Sequence, residues 1–528
     1  MDSSRDFAYY KQHAKDVRLE DITSSERNKE IIQKLRDNDS DFEGDGYLHI
    51  LDEGGDNNYY DTYEFKIEAD TDIGWLGYFI GQNERLENLC IQCDLPRQNS
   101  LIKGICLSRS IKRIDLACDI GDDQHSIVAS LLENNLESIE LETLEFEYNN
   151  LRGTRFCTAL ATTFVKWGDK SQLSELLLTE NQIDNEGLQK LSMGLASCRS
   201  LTHLDLSSNE FSAGGLAALA SVFQTDSCSL TELTLTGLGM DDDGAKALAS
   251  GLVDYKLLKC LNLSWNAIGD EGLASIAAGL VNAVSENLET LDLTRNDFSI
   301  AGIRSLSTLL NLEKSKLRKL SIGENSICII GISMLAEALV NNTSLQCLGD
   351  CDVSRNDSDR IFSTLLCDSS SISNIYASNH TLASFSSRCN PKYGSKVEKY
   401  VNLNMFLPKY RHLIPVIKVL MNYPDLGDMT PFYRWKLKLL PFVVDWFERA
   451  RICRGYLEES ETKFQRRELS GVYKFVRGVP QLVTRGYWSG RLEHVRGQKR
   501  KLEEEQEQLR ERKRKLKEDE MQFLDRLA

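Results

Sequence analysis

The sequence predicts an α/β solenoid in which parallel strands line a concave face and helices cover the convex face. First, the motif Leu-x-x-Leu-x-Leu-x-x-Asn-x-apolar recurs along most of the 528 residues. Second, six consecutive spacings between copies in the middle of the chain lie between 28 and 31 residues. Third, each copy is followed by apolar residues at helical spacing. One such unit cannot bury its own apolar face, so neighbouring units must stack into one continuous core.

The clearest copy runs from Leu201 to Phe211. Regular copies start at Leu173, Leu201, Leu258, Leu288 and Leu317, and degenerate copies start at residues 86, 111, 141, 230, 348 and 372. In each copy the Leu-x-Leu piece is a short strand, and the Asn side chain is expected to hydrogen-bond the backbone of adjacent turns. Among the copies that lack this Asn, three carry Asp119, Leu238 and His380 instead.

The second half of each repeat identifies the class of repeat that this chain resembles. The segments Asn181–Leu188 and Asn266–Leu273 place Gly-Leu six residues after the Asn, at the start of a helical pattern. With a period near 28 or 29, they resemble the ribonuclease-inhibitor class of leucine-rich repeat. The resemblance covers about residues 86–388 and implies a horseshoe with strands on its concave side.

The ends of the chain extend this architecture. We expect an N-terminal helix and capping repeats over 1–85, the solenoid over 86–395, a helical C-terminal domain over 396–487, and a charged helix or weak coiled coil over 488–528. In the first segment, Tyr47–Leu51 and Tyr63–Ile67 read as cap strands. The spacing of acidic residues from Asp41 to Asp52 imitates a calcium loop, but the Gly- and Asn-rich residues after it cannot readily begin a second helix. We therefore favour the strand.

The C-terminal part has three features of its own. Leu413–Met421 and Trp435–Arg451 predict helices, and short motifs such as Phe475–Pro480 resemble a family of algal leucine-rich-repeat proteins that has no established activity. From Trp488 to Phe523 an apolar residue recurs every seven positions, but the second seam is polar, which favours weak self-association or a solvated single helix. The basic clusters of Lys499–Lys515 resemble a two-part nuclear import signal, a spacing that charged helices also produce.

Charge and cysteine usage limit the function classes. The net charge is −16, divided into −25 over residues 1–400 and +9 over residues 401–528. An acidic body repels phosphate backbones, so we expect no nucleic-acid binding by the solenoid. There is no transmembrane-length apolar run, and the charged first residues predict no secretory signal. The 14 cysteines follow no disulfide or zinc pattern, which favours the cytoplasm, with the nucleus as the alternative.

The sequence contains no nucleotide-binding loop, metal-ligand cluster or catalytic triad pattern, so we predict no cofactor, no metal and no enzymatic activity. We predict instead a protein-binding scaffold or adaptor that uses the concave face. The predicted anchors are Trp265, Arg295 and Tyr148, and the predicted steering groups are Arg355, Asp292, His203 and Asp205. For Trp265 the alternative is packing for stability alone. Two alternative functions stay open: a GTPase-activating regulator of a small GTPase, and an inhibitor of a basic ribonuclease.

Overall fold

The computed structural model describes residues 7–43, 46–52, 62–69, 71–92, 99–116, 141–146, 154–349, 355–385, 396–406 and 414–422. The chain forms two compact units. The first comprises residues 1–357 with 385–390, and the second comprises residues 358–384 with 391–528.

The N-terminal part of the first unit confirms the predicted cap strands. Its elements are α1 (Phe7–His13), α2 (Glu26–Asp37), β1 (Tyr47–Asp52), β2 (Thr62–Ile67) and α3 (Ile73–Gln82). Residues 47–52 form a strand rather than the end of a calcium loop, and the Asp41 carboxylate accepts hydrogen bonds from Lys34 and Tyr63 at 2.7 Å. Strand β1 lies between β2 and β3 and is parallel to both, so the cap continues the repeat sheet.

Parallel strands and helices then alternate along the first unit. The elements are β3 (Asn88–Gln92), α4 (Asn99–Leu107), β4 (Arg113–Leu116), β5 (Thr143–Phe146), α5 (Thr154–Trp167), β6 (Glu175–Leu177), α6 (Asn185–Leu195), β7 (His203–Asp205), α7 (Ala213–Val222), β8 (Glu232–Thr234), α8 (Asp242–Leu252), β9 (Cys260–Asn262), α9 (Asp270–Gly279), α10 (Val281–Glu286), β10 (Thr290–Asp292), α11 (Ile300–Leu310), β11 (Lys319–Ser321), α12 (Ile329–Leu339) and β12 (Cys347–Gly349). From β3 to β12 each strand pairs with the next one in the sequence. This is the predicted leucine-rich-repeat solenoid.

Helix α13 (Arg355–Leu366) begins in the first unit and ends in the second. The remaining described elements are α14 (Ile372–Ala377), β13 (Ser384–Phe385), α15 (Lys396–Phe406) and α16 (Ile414–Asn422). Helix α16 confirms the helix predicted over Leu413–Met421. The predicted helix at Trp435–Arg451 and the heptad segment 488–528 lie outside the described residues.

The core lies between the sheet and the helices. The middle leucine of each short strand is buried, as Leu204, Leu261 and Leu320 illustrate. Close approach of adjacent helices depends on glycine at two equivalent positions. A Cβ at Gly194 would lie 2.4 Å from the Ala161 backbone, and one at Gly251 would lie 2.4 Å from a backbone carbonyl oxygen. Any larger residue there would force the helices apart.

The hydrogen-bonding role predicted for the repeat asparagine is confirmed in the described repeats. Asn209 Nδ2 donates to carbonyls of its own and the preceding repeat, and its Oδ1 accepts from two N–H groups of the preceding repeat at 2.9 and 3.2 Å. Asn266, Asn296 and Asn325 repeat this pattern. Each of these amides therefore satisfies backbone groups that stacking removes from water.

Two expectations from the repeat pattern are wrong. The copy assigned to residue 348 begins at Leu345, because Leu348 is paired with Leu320 as the middle strand residue. The copy assigned to residue 372 is helix α14. Cys260 and Cys347 precede the middle leucine of their strands, so their side chains point away from the core and are half-buried.

Candidate functional site

The concave face of the first unit consists of strand side chains that point away from the helices. Because successive strand residues alternate sides, two rows flank the buried middle leucines. The first row is Glu175, His203, Glu232, Cys260, Thr290 and Lys319, and the second row is Leu177, Asp205, Thr234, Asn262, Asp292 and Ser321. The parallel register places these side chains in adjacent positions across the sheet.

A column of residues lies just beyond the strands' carboxyl ends: Glu180, Ser208, Gly237, Trp265, Arg295 and Glu324. All six have positive φ, between 54° and 68°. Their backbone N–H groups continue the ladder, as when Trp265 donates to Thr294 O at 2.8 Å. This left-handed conformation favours glycine and asparagine and costs other residues about 1–2 kcal/mol. In the described repeats the column is nevertheless filled mostly by large or charged side chains.

Trp265 forms the centre of the column. Its side chain is 55% exposed, and the Arg295 guanidinium carbon lies 3.5 Å from the ring centroid. Arg295 Nε in turn donates to Glu324 Oε2 at 2.7 Å. The ion pair holds the guanidinium in place and offsets its charge, while the guanidinium covers one face of the indole. The two predicted anchors in the described residues therefore lie in direct contact.

The column position before Trp265 has no side chain. Gly237 has a φ of +68°, and a Cβ there would come within 4 Å of one atom, Ser208 Oγ at 3.2 Å. The space over Gly237 between Trp265 and Ser208, hereafter the Trp265 slot, is therefore open. It borders the side of Trp265 opposite the Arg295 repeat.

The predicted steering groups lie on the two rows. His203 Nε2 is 3.1 Å from Glu232 Oε1, and its Nδ1 is 2.8 Å from Thr202 Oγ1. Asp205 Oδ1 accepts from the Ser207 N–H at 2.8 Å, and Asp292 Oδ1 makes the equivalent bond to the residue two further on at 2.9 Å. Each carboxylate thus uses one of its two oxygens to stabilise the turn that follows its own strand. The other oxygen of each has no hydrogen-bond partner among the described residues.

Two predicted site residues are not part of this arrangement as described. Tyr148 lies outside the described residues. A repeat that started at residue 348 would put Arg355 in the column, at the position before Asn356. With the observed start at Leu345, Arg355 comes three residues too late in the repeat for the column, and it is the first residue of helix α13. The place of Arg355 in the column is therefore wrong, whereas its role in partner binding stays a prediction.

Comparisons with known proteins agree with this repeat structure. The family model described as "Leucine Rich repeat" matches residues 172–192, 197–220, 226–249, 256–277 and 284–307. The mouse ribonuclease inhibitor is 29% identical over 272 residues, covering 41% of this chain and 58% of its own length. The leucine-rich repeats of this chain therefore resemble those of the ribonuclease inhibitor.

Other relatives of this leucine-rich-repeat protein are much longer than the aligned region. Mouse "NACHT, LRR and PYD domains-containing protein 14" is 31% identical over 201 residues, which are 38% of this chain and 19% of the relative. The macaque "NACHT, LRR and PYD domains-containing protein 3" is 27% identical over 237 residues, with shares of 45% and 22%. The chain thus spans between about a fifth and three fifths of these relatives. A Listeria monocytogenes internalin aligns at 16% identity with a TM-score of 0.30, covering 56% of this chain and 79% of its own.

A buried polar cluster at the N-terminal end of the concave face escaped the sequence reasoning. Asp115 and Glu145 lie side by side on β4 and β5, and Arg113 pairs with Glu145. Asp115 accepts from the Cys90 thiol at 3.3 Å, and its other oxygen is buried without a hydrogen-bond partner. Burial, together with the nearby Glu145 charge, raises the pKa of Asp115 to about 6. Strand alternation alone would have placed these residues on the same face.

A second buried cluster in this leucine-rich-repeat protein lies within the second unit. Lys418 Nζ is fully buried and donates to the carbonyls of Leu366 at 2.6 Å and Asn379 at 3.1 Å. It also lies 3.1 Å from His380 Nδ1, and the Tyr400 ring centroid is 5.6 Å away. Burial lowers the pKa of Lys418 to about 7, and burial together with the lysine lowers the pKa of His380 to about 3. The apolar neighbours Ile417 and Val419 are the one feature of the sequence that could have indicated this burial.

Two kinds of feature are absent from the described residues. None of the described helices is both long and apolar enough to cross a membrane. Within the same part of the chain, no group of three or more His, Cys, Asp or Glu side chains is arranged to hold a metal ion.

Proposed function

We propose that this leucine-rich-repeat protein is a non-enzymatic scaffold or adaptor that recognises a protein partner through its concave face, with Trp265 and Arg295 as the anchors. A protein-binding role in general is supported by the repeats and by their likeness to other leucine-rich-repeat proteins. The observation that carries the specific proposal is the exposed Trp265 indole stacked against an ion-paired Arg295.

The stack of repeats does not need this tryptophan. The neighbouring Leu261 and Leu263 are completely buried and complete the core of that repeat without it. Trp265 and Arg295 also occupy left-handed backbone positions at which glycine or asparagine would be less strained. Tryptophan and arginine dominate the energetics of protein interfaces, because a large rigid surface is desolvated at small entropic cost. Both observations favour a role in binding.

The remaining site residues act around this anchor. His203, Asp205 and Asp292 present charge along the rows and would steer an approaching partner. Tyr148 is retained as an anchor on the strength of the sequence alone. The protein would act in the cytoplasm, with the nucleus as the alternative, and residues 488–528 would support weak self-association.

The experiment that tests this proposal is affinity purification read by mass spectrometry. The baits are the natural chain, a Trp265→Ala/Arg295→Ala double variant, and a matched convex-face control, Met193→Ala/Lys190→Ala. Met193 is 67% exposed on α6, so its loss removes a similar exposed apolar surface elsewhere. We expect at least one protein to be recovered with the natural chain and the control but lost with the concave variant. Recovery of the same proteins by all three baits would refute the concave anchor.

The second candidate function is inhibition of a basic ribonuclease, which the likeness to the mouse ribonuclease inhibitor and the net charge of −25 over residues 1–400 favour. Titration of a basic secreted-type ribonuclease with the purified chain separates the two functions. Stoichiometric inhibition that is lost in the Trp265→Ala/Arg295→Ala variant would replace the adaptor proposal, and unchanged nuclease activity would exclude the inhibitor.

A further inference from the structure

We propose that the Trp265 slot receives an arginine side chain presented by the partner protein. This inference rests on the proposed function and names the chemistry of the partner at that site. The guanidinium would stack on the open face of the indole, over Gly237.

The dimensions of the slot suit one planar group. Adjacent parallel strands are about 4.8 Å apart, so the Trp265 and Ser208 positions are separated by about 10 Å with only Gly237 between them. A stacked guanidinium occupies about 3.5 Å on a ring face. The chain already shows this contact on the other face, where Arg295 lies 3.5 Å from the ring centroid. The indole therefore has the geometry to bind a second guanidinium on its free side.

The charge around the slot favours a cation. The nine row and column positions on β6 to β8 and the turns after them include four carboxylates and no Lys or Arg: Glu175, Glu180, Asp205 and Glu232. One of these, Glu232, is paired with His203. Beyond Trp265, Arg295 is neutralised by Glu324 at 2.7 Å, so it does not strongly repel a second cation. The open face of Trp265 thus borders the anionic half of the concave face.

Arginine suits this position better than lysine. Its planar group can stack on the indole while its N–H groups point sideways toward carboxylates. Asp205 belongs to the same repeat as Ser208, which forms the far wall of the slot. One carboxylate oxygen of Asp205 accepts a hydrogen bond from the Ser207 N–H, and the other has no hydrogen-bond partner among the described residues. An ammonium group would gain the charge attraction but not the stacked contact.

The test uses isothermal titration calorimetry on the full chain with a capped eight-residue peptide of alternating arginine and glycine. Its matched probe carries citrulline for arginine, which keeps the planar shape and removes the charge. We expect the citrulline peptide to bind at least tenfold more weakly. Trp265→Ala should weaken binding of the arginine peptide about tenfold, and Gly237→Asn, which occupies the slot and tolerates positive φ, should weaken it by a similar factor.

Controls separate the slot from general attraction to an acidic protein. Glu180→Gln/Asp205→Asn should weaken binding about fivefold, whereas Glu313→Gln/Glu337→Gln, with the same change of charge on exposed residues away from the concave face, should change it less than twofold. Met193→Ala should leave binding unchanged. The slot proposal is overturned if the arginine peptide does not bind, if citrulline binds equally well, or if Trp265→Ala and Met193→Ala give the same affinity. If partner capture still depends on Trp265 and Arg295 in that case, the proposed function stands and only the arginine assignment fails.

Discussion

Replacing Lys418 with methionine should remove a pH dependence from the stability of the second unit. The lysine amine is fully buried against two carbonyl oxygens and His380, and burial lowers its pKa from 10.5 to about 7. Among the described residues, no carboxylate forms an ion pair with it. Methionine has a similar length and carries no charge, so it retains the packing while abolishing the titration.

The sign and size of the effect follow from the two pKa values. Between pH 7 and 10.5 the unfolded lysine holds a proton that the folded lysine has released, so stability rises with pH by up to about 1.4 kcal/mol per pH unit. Below pH 7 both states are protonated, and the contribution becomes constant. With a folded pKa of about 7, the expected gain from pH 7 to pH 9 is about 2 kcal/mol.

The assay is thiol labelling of Cys367, read peptide by peptide with mass spectrometry. Cys367 is buried in the same cluster, where Asn422 Nδ2 donates to its sulfur at 3.3 Å, so labelling requires this region to open. The free energy of opening is compared between the natural chain and Lys418→Met at pH 7, 8 and 9, so that the intrinsic pH dependence of the thiol cancels. Lys399→Met, on the exposed side of α15, is the matched control. If the natural chain and the Lys418→Met variant show the same pH slope, the inferred burial of a titrating lysine is refuted.

Four further predictions concern the first unit, each measured by urea unfolding. Gly237→Ala should lower the free energy of unfolding by about 1 kcal/mol, because φ is +68° at this position. A change in the urea dependence of the unfolding free energy without a change in the urea midpoint would contradict this. Asn296→Ala should cost about 2–3 kcal/mol, since it leaves two carbonyls and the N–H of a neighbouring repeat without their buried partner; a cost under 0.5 kcal/mol would contradict it. Leu261→Ala should cost about 3 kcal/mol, whereas Leu257→Ala, at a 46% exposed position of the same repeat, should cost little; equal costs would sink the assignment of the core face. The natural chain should lose about 3 kcal/mol of unfolding free energy as the pH rises from 3.8 to 6, because the folded Asp115 carboxyl holds its proton up to a pKa of about 6. Asp115→Asn should remove this loss. The same pH profile in both proteins would argue against the burial of Asp115.

Much of the fold was determined by local and periodic information. The leucine spacing alone predicted strands β6 to β11. The repeat asparagines predicted the hydrogen bonds to adjacent turns that the structure contains. Strand alternation also placed Trp265 beside Arg295, since equivalent positions in neighbouring repeats must be adjacent. These inferences succeeded because each repeat imposes the same backbone geometry on the next, so that a position in the sequence is also a position in space.

The tertiary structure decided what depends on contacts outside the repeat period. Two leucines three residues apart, Leu345 and Leu348, both suit the start of a repeat, and only pairing with Leu320 selected the first of them and removed Arg355 from the column. The stacking of Arg295 on Trp265 required a particular side-chain rotamer that Glu324 stabilises. The burial of Lys418 depends on a carbonyl 52 residues away. Such long-range contacts leave no periodic trace, because a buried lysine and an exposed lysine look the same in a sequence until the groups packed around them are known.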